Sequence, residues 1–124
     1  MTAMRNPDAK HIDFAELVGT IPSNPRFLPS NLDMVLERRG FVLVGEWKRP
    51  NENISKGQEI LLESLAKNSN FLVALIEGNT DDGMVVNKVQ VLNPYRGWVD
   101  WGDTKESLKD LIVQWYNRAE RKTK

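Results

Sequence analysis

The sequence is poor in the residues on which much enzyme chemistry depends. Its 124 residues include no cysteine and a single histidine, His11. The absence of cysteine excludes disulfide frameworks, thiolate nucleophiles and CxxC redox pairs. A structural zinc site needs thiolates or several imidazoles, so it is excluded as well. Acid–base or metal chemistry must therefore rest on Asp, Glu and Lys, and carboxylate oxygens suit hard cations such as Mg²⁺ or Mn²⁺.

Net charge and extended apolar segments are also absent. Seventeen Lys and Arg residues balance 17 Asp and Glu residues, so the formal net charge is +0. This balance argues against a chain that binds polyanions over its whole surface, but it allows a local basic patch. No run of about 18 apolar residues occurs, which excludes a transmembrane helix. Residues 1–10 are polar and unlike a secretory signal, so we expect a cytoplasmic, intracellular protein with no membrane partner.

The length predicts one domain over residues 1–124, with a loose start at 1–10 and a basic tail at 119–124. Apolar periodicity predicts an α/β fold in which a small mixed β-sheet is flanked by helices. Two apolar, β-branched runs on either side of Arg39 and Gly40 predict a β-hairpin that ends before Pro50. The other predicted elements are helices over 12–18, 56–67 and 105–118, strands over 71–77 and 84–92, and loops over 21–29 and 93–98.

The hairpin brings charged residues together. If its loop has two residues, Asp33 lies directly opposite Glu46, and residues paired in this way point to the same face of the sheet. Lys48 is two residues beyond Glu46 and shares that face. A three-residue loop would instead place Asp33 opposite Gly45. Two opposed carboxylates repel each other, and a divalent cation between them relieves the repulsion and can activate a water molecule. A nearby lysine can orient that water or neutralise the charge of a phosphorane, so this set suits phosphodiester hydrolysis.

These residues carry a resemblance to a known family. Asp33, the strand segment Glu46-Trp47-Lys48 and a following helix that opens with Ser55-Lys-Gly-Gln58 resemble the PD-(D/E)XK nuclease superfamily. The pattern is most similar to the small virus-type replication-repair nucleases and Holliday-junction resolvases, which have a glutamine at the start of this helix. The likeness covers roughly residues 13–77 and implies a restriction-endonuclease-like core with the element order αβββαβ. Leu32 stands where the name motif has proline.

The resemblance implies a role for each matching residue. Asp33, Glu46 and the backbone carbonyl of Trp47 would bind Mg²⁺ or Mn²⁺, Lys48 would serve the attacking water, and Gln58 would support the site. Many members add an acid from the first helix, for which Glu16 is the first candidate and Asp13 the second. Taken singly, Glu46 and Lys48 also fit a solvated charge pair, and Gln58 fits a helix capping box.

The implied activity is that of a metal-dependent endonuclease that hydrolyses DNA phosphodiester bonds, with branched or structured DNA as the lead substrate. A homodimer would fit, because resolving a junction takes two cuts. The alternative is a catalytically silent nuclease-fold module that binds DNA or a protein partner. A third possibility is a nuclease of the same fold that cuts a specific sequence or single strands, with residues 93–102 as a base-reading loop.

Several basic and aromatic residues are candidates for DNA contacts. The candidate phosphate-binding residues are Arg38, Arg39, Arg49 and Lys56. Trp98 and Trp101, together with Tyr95 and Arg96, could stack on nucleic acid. The simpler interpretation is that the two tryptophans hold the last helix against the sheet. Trp47 alternates away from the carboxylates and is predicted to be in the core, and His11 is predicted to be solvated or to cap the first helix.

Overall fold

The computed structural model of the chain describes residues 14–122. The chain divides into two compact units, Met1–Ser30 and Asn31–Lys124. The loose start predicted at 1–10 and the prediction for His11 lie outside the described residues. Within residues 14–122, no helix has both the length and the apolar character needed to cross a membrane.

The first unit has a 3₁₀-helix, η1 (Ala15–Leu17), in place of a full first helix. The backbone of Val18 is extended, with φ −57° and ψ 133°, and this ends the helical turn. The helix that we predicted over 12–18 therefore ends early, and the Val18 side chain is 54% exposed. Ala15 is exposed too, and Phe14 is half-buried. The predicted helix residues 12 and 13 lie outside the described part of the chain.

The second unit contains a five-stranded mixed sheet and two helices, which confirms the predicted α/β class. Neighbouring strands follow the chain order, and all pairs are antiparallel except the parallel pair β2–β3. The first helix connects these two parallel strands. The strands are β1 (Met34–Arg38), β2 (Phe41–Lys48), β3 (Phe71–Asn79), β4 (Val85–Asn93) and β5 (Gly97–Gly102), and the helices are α1 (Lys56–Ala66) and α2 (Lys105–Lys122).

The two helices cover opposite faces of the sheet. Alternate residues of a strand point to opposite faces, and the two buried clusters divide in this way. The cluster under α1 contains Val44, Leu62, Ala66, Val73 and Leu92. The cluster under α2 contains Leu43, Ala74, Ile76, Val86, Val89, Leu108, Leu111 and Trp115, with Trp47 packed against it as predicted. The even-numbered residues of β2 therefore point to the α1 face of the sheet. Glu46 and Lys48 are among them.

The fifth strand begins inside the loop that we predicted over 93–98. The Asn93 side-chain Oδ1 accepts the N–H groups of Tyr95 at 2.8 Å and Arg96 at 3.0 Å, which closes a tight turn. β4 extends to Asn93 and the chain returns as β5 from Gly97, so the predicted loop over 93–98 is wrong at three of its six residues. Trp101 on β5 donates its Nε1–H to the Ser107 carbonyl at 3.1 Å, which confirms that this tryptophan holds α2 against the sheet. Residues 93–102 therefore form the turn of the β4–β5 hairpin and its second strand, and not an extended base-reading loop.

The last helix is longer than predicted. It continues to Lys122, so most of the predicted basic tail is helical. Ala119 is 1% exposed, and Glu120 forms a salt bridge with Arg38 at the hairpin tip. The burial of Ala119 and the salt bridge of Glu120 stabilise an extra helical turn that the local sequence did not indicate.

The element order also differs from the αβββαβ core. Two strands, rather than three, precede α1 within the described residues. The 3₁₀-helix η1 stands in the region of the expected first helix. The hairpin, helix and parallel strand that hold the predicted site are all present.

Candidate active site

The hairpin turn fixes the register on which the site depends. Arg39 and Gly40 both have left-handed backbones, with φ 53° and φ 87°, as a two-residue type I′ turn requires. Glycine adopts this conformation without a steric penalty, which explains its place at the second position. The pairs run from Arg38 opposite Phe41 to Met34 opposite Gly45. This is the predicted two-residue register, and it places the next residue before β1, Asp33, at the position facing Glu46.

The structure brings the carboxyl groups of Asp33 and Glu46 into contact. Glu46 lies on the α1 face of β2 and is only 1% exposed. Its carboxyl group forms a hydrogen bond with the Asp33 carboxyl group. Asp33 Oδ2 also accepts the backbone N–H of Trp47 at 2.9 Å, which holds the Asp33 side chain beside β2. Two acidic groups thus lie side by side at the base of the hairpin.

This environment raises the pKa of Glu46 from its usual 4.5 to about 8. Burial is the largest cause, because it disfavours the charged form, and the hydrogen bond and negative charge of Asp33 add to it. Hydrogen bonds from the Asp33 backbone and from the Gln58 side chain act in the opposite direction. At neutral pH, Glu46 therefore keeps its proton, and its O–H donates a hydrogen bond to a carboxyl oxygen of Asp33, as in other carboxyl pairs in which like charges cannot both ionise.

Gln58 serves both the helix cap and the site. Its Oε1 accepts the Ser55 backbone N–H at 3.0 Å, and its own backbone N–H donates to Ser55 Oγ at 3.1 Å. These two bonds form the capping box that begins α1. The Gln58 Nε2 donates to Glu46 Oε2 at 3.3 Å. Because the cap uses the oxygen end of the amide, the donor end is the one that faces Glu46.

Lys48 shares the face of Glu46 and is held by a residue that we did not predict from the sequence. Its Nζ lies 2.9 Å from Glu77 Oε1, and the two residues are register partners in the parallel pair β2–β3. The Lys48 side chain is 20% exposed and that of Glu77 26% exposed, so the salt bridge is half-buried. The register of two strands joined by a helix cannot be derived from a turn, which is why Glu77 was missed.

Two of the predicted DNA-binding residues lie near this end of β2. Arg49 forms a two-pronged salt bridge with Asp81, at 2.6 and 2.9 Å, and both side chains are more than half exposed. Lys56 is the first residue of α1 and is 82% exposed, 3.5 Å from Glu59. Lys56 is thus available to solvent beside the capping box, whereas Arg49 already has an acidic partner.

The other two predicted DNA-binding residues, Arg38 and Arg39, lie at the tip of the hairpin, at the opposite end of β1 from Asp33. Arg38 pairs with Glu120, and its guanidinium carbon lies 5.1 Å from the centre of the Tyr116 ring. Arg39 lies 3.6 Å from the same glutamate. This ion pair holds the pKa of Glu120 below its usual value. These arginines therefore anchor α2 to the hairpin and do not share the carboxylate site.

The donor set at the hairpin base fits Mg²⁺ or Mn²⁺ in number and type. Within residues 14–122, no group of three or more His, Cys, Asp or Glu side chains is placed to hold a metal ion. However, Mg²⁺ is commonly bound through one or two carboxylates, with water completing the shell. The Trp47 N–H points towards Asp33, and the carbonyl of the same extended residue faces the same side. Glu16 lies in η1 of the first unit, and its role as a ligand stays a prediction.

Comparison with known proteins adds no relative. No family model matches the chain, and neither the curated proteins nor the solved structures contain a significant match.

Proposed function

We propose that the protein is a Mg²⁺- or Mn²⁺-dependent endonuclease that hydrolyses DNA phosphodiester bonds. One observation carries the proposal: the carboxyl group of Asp33 contacts that of the buried Glu46. Two acidic groups in contact are costly to a fold, and binding a cation is a function that accounts for the cost. The PD-(D/E)XK-like order of Asp33, Glu46, Lys48 and Gln58 supports the same conclusion, as does the parallel strand after α1.

The side chains divide the work of hydrolysis. A bound divalent cation supplies the charge that lowers the pKa of a water molecule and polarises a phosphoryl oxygen. Asp33 and Glu46 would hold the cation with both carboxylates ionised, which would require Glu46 to give up its proton to solvent. The Gln58 amide holds one oxygen of Glu46 and so fixes the orientation of the other. Lys48 exchanges its contact with Glu77 for the attacking water or the charged phosphorane.

The reaction itself needs no covalent enzyme intermediate. The water oxygen forms a bond to phosphorus, and the bond from phosphorus to the leaving sugar oxygen breaks. The water loses a proton to solvent, and the leaving oxygen takes one up. Branched or structured DNA is the lead substrate because the sequence pattern is most similar to replication-repair nucleases and junction resolvases. A homodimer is proposed on the same ground.

The second candidate function is a silent module that binds DNA or a protein without cutting. One observation favours it: Lys48 is paired with Glu77, and a lysine fixed in a salt bridge is not free to serve water. In the silent module this pair would persist when DNA binds. In the nuclease it opens, so the two candidates differ in whether Lys48 is needed for a chemical step.

A cleavage assay separates these functions. Linear, nicked and four-way DNA are incubated with Mg²⁺ or Mn²⁺ and with wild type, Asp33→Asn or Lys48→Ala. Lys109→Ala is the matched control, because it removes an exposed lysine on α2, on the other face of the sheet. We expect wild type and the control to cut and the two site variants to be at least about 100-fold slower. An inert wild type that still binds DNA supports the silent module, and equal cutting by all four proteins overturns the proposed site.

A further inference from the structure

A cavity lies away from the carboxylate site. It has a volume of about 340 Å³ and lies beside the C-terminal half of α2. It reaches Phe41 and Phe71, the first residues of β2 and β3. Glu46 lies five residues further along β2, or roughly 17 Å at the rise of an extended strand. The cavity is therefore at the other end of the sheet and under the other helix.

The helix side of this cavity carries a polar stripe. Gln114, Asn117, Arg118 and Arg121 all line it, and their spacing of three, four and seven residues places them along one side of α2. Both arginines are exposed. Within the described part of the chain they have no acidic partner, whereas Arg38 and Arg49 are paired. Two unpaired guanidinium groups one turn apart favour an anion, and phosphate matches their geometry.

The interior of the cavity is aromatic. Phe41, Trp101 and Trp115 all line it. Trp115 is 8% exposed, and its Nε1–H is buried with no acceptor in residues 14–122. Because this donor is sealed within the core, the lining contact of Trp115 comes from other atoms of its side chain. The aromatic lining therefore offers a ligand a stacking surface rather than a hydrogen bond.

We propose that this cavity binds a nucleoside 5′-monophosphate, either free or as the phosphorylated end of a strand. The base would stack on the aromatic side chains that line the cavity. The phosphate would lie between Arg118 and Arg121. Small-molecule sites have volumes of about 300–1,000 Å³, and this cavity is at the lower end, which suits a single nucleotide. The proposal does not depend on nuclease activity, since it shares no residue with the carboxylate site.

Nuclear magnetic resonance tests the binding directly. The chain has four tryptophans, so a nitrogen-15 spectrum contains four indole N–H signals, and Trp115→Phe identifies the one from Trp115. We expect adenosine 5′-monophosphate to shift this signal in a saturable way. Adenosine without phosphate should bind at least about tenfold more weakly, and inorganic phosphate alone should leave the indole signal in place.

Two substitutions make the test independent of the tryptophan. We expect the double variant Arg118→Gln/Arg121→Gln to bind the nucleotide at least about tenfold more weakly. Both residues are exposed, so the substitutions leave the core intact. Lys109→Gln, at an exposed position of α2 outside the cavity lining, is the matched control. A 5′-phosphorylated oligonucleotide that binds better than its 5′-hydroxyl form identifies a strand end, and binding of the mononucleotide alone identifies the free ligand. The absence of a saturable shift up to millimolar nucleotide, or a shift unchanged in the double variant, overturns the proposal.

Discussion

Glu46 shares a hydrogen bond with Asp33 across the base of a hairpin in which the two residues face each other. Glu46 is the partner that holds the proton because it is buried. Asp33 is exposed and accepts the Trp47 N–H at 2.9 Å. In the metal site that we propose, a cation between the two groups would have to displace this proton. Proton binding and metal binding would then compete for the same place, which gives the first prediction.

Metal affinity should rise with pH up to about 8, the pKa of Glu46. Below that value the Glu46 proton must be lost before both carboxylates can bind the ion, so affinity should fall by about tenfold for each pH unit. Titration calorimetry with Mn²⁺ at pH 6, 7, 8 and 9 measures this dependence. Asp33→Asn is the control, because it removes the neighbouring negative charge and should weaken binding at every pH. An affinity that does not change between pH 6 and 8 would show that Glu46 is not a ligand.

The same group should make the metal-free protein less stable as pH rises. Glu46 has its usual pKa of 4.5 when unfolded and about 8 when folded, so the folded state binds more protons between these values. Its contribution to the free energy of unfolding is fully present below pH 4.5 and is lost as pH rises through 8, by at most about 1.4 kcal/mol per unit.

Urea unfolding of wild type and Glu46→Gln at pH 5 and pH 8.5, without metal, checks this sign. Glutamine keeps the shape of Glu46 but does not titrate. The variant should gain stability relative to wild type at pH 8.5 and show a flatter pH dependence. If wild type and the variant change in parallel between the two pH values, the raised pKa of Glu46 is refuted.

Gln58 should affect the site beyond its effect on the helix. Gln58→Ala removes one half of the capping box and the contact with Glu46, and we expect a loss of about 1–2 kcal/mol. Ser55→Ala is the matched variant, because it damages the same cap but leaves the Gln58–Glu46 contact in place. Both should lower thermal stability, and only Gln58→Ala should weaken Mn²⁺ binding. Equal metal affinity in the two variants would show that Gln58 acts only in the helix cap and not in the metal site.

The two salt bridges at the end of β2 should differ in strength. Lys48–Glu77 is half-buried, with side chains 20% and 26% exposed, whereas Arg49–Asp81 is 52% and 62% exposed. Glu77→Gln leaves a half-buried ammonium without its counter-charge and should cost about 1–2 kcal/mol. Asp81→Asn should cost less than Glu77→Gln, because water screens the exposed pair. Chemical unfolding of both variants decides the order, and a larger loss for Asp81→Asn would reverse it.

Much of the second unit could be predicted because its signals are local. The hairpin followed from two apolar runs around a turn pair, and α1 followed from its apolar stripe and the Ser55 cap. The contact between Asp33 and Glu46 followed from the turn length alone, since a two-residue turn sets every pair in the hairpin. These features need only neighbours in the sequence, and the structure contains each of them.

The features that were missed depend on contacts between distant segments. Glu77 meets Lys48 only through the register of two parallel strands. The last turn of α2 exists because Glu120 reaches Arg38. We did not predict β5 because a turn that contains Pro94 has the same sequence pattern whether the chain continues as a loop or returns as a strand. Long-range packing overrides local preference in each case.

The left-handed residues Arg39 and Gly40 form a two-residue turn, and any redesign of the hairpin would have to keep that length. One residue added to or removed from this turn would shift Asp33 by one position and turn its side chain to the opposite face of the sheet. The overall fold could survive such a change, but the carboxyl pair would be separated. The spacing of the site is therefore set by a turn that contacts neither carboxylate, and loop grafting at the tip must conserve length before it conserves sequence.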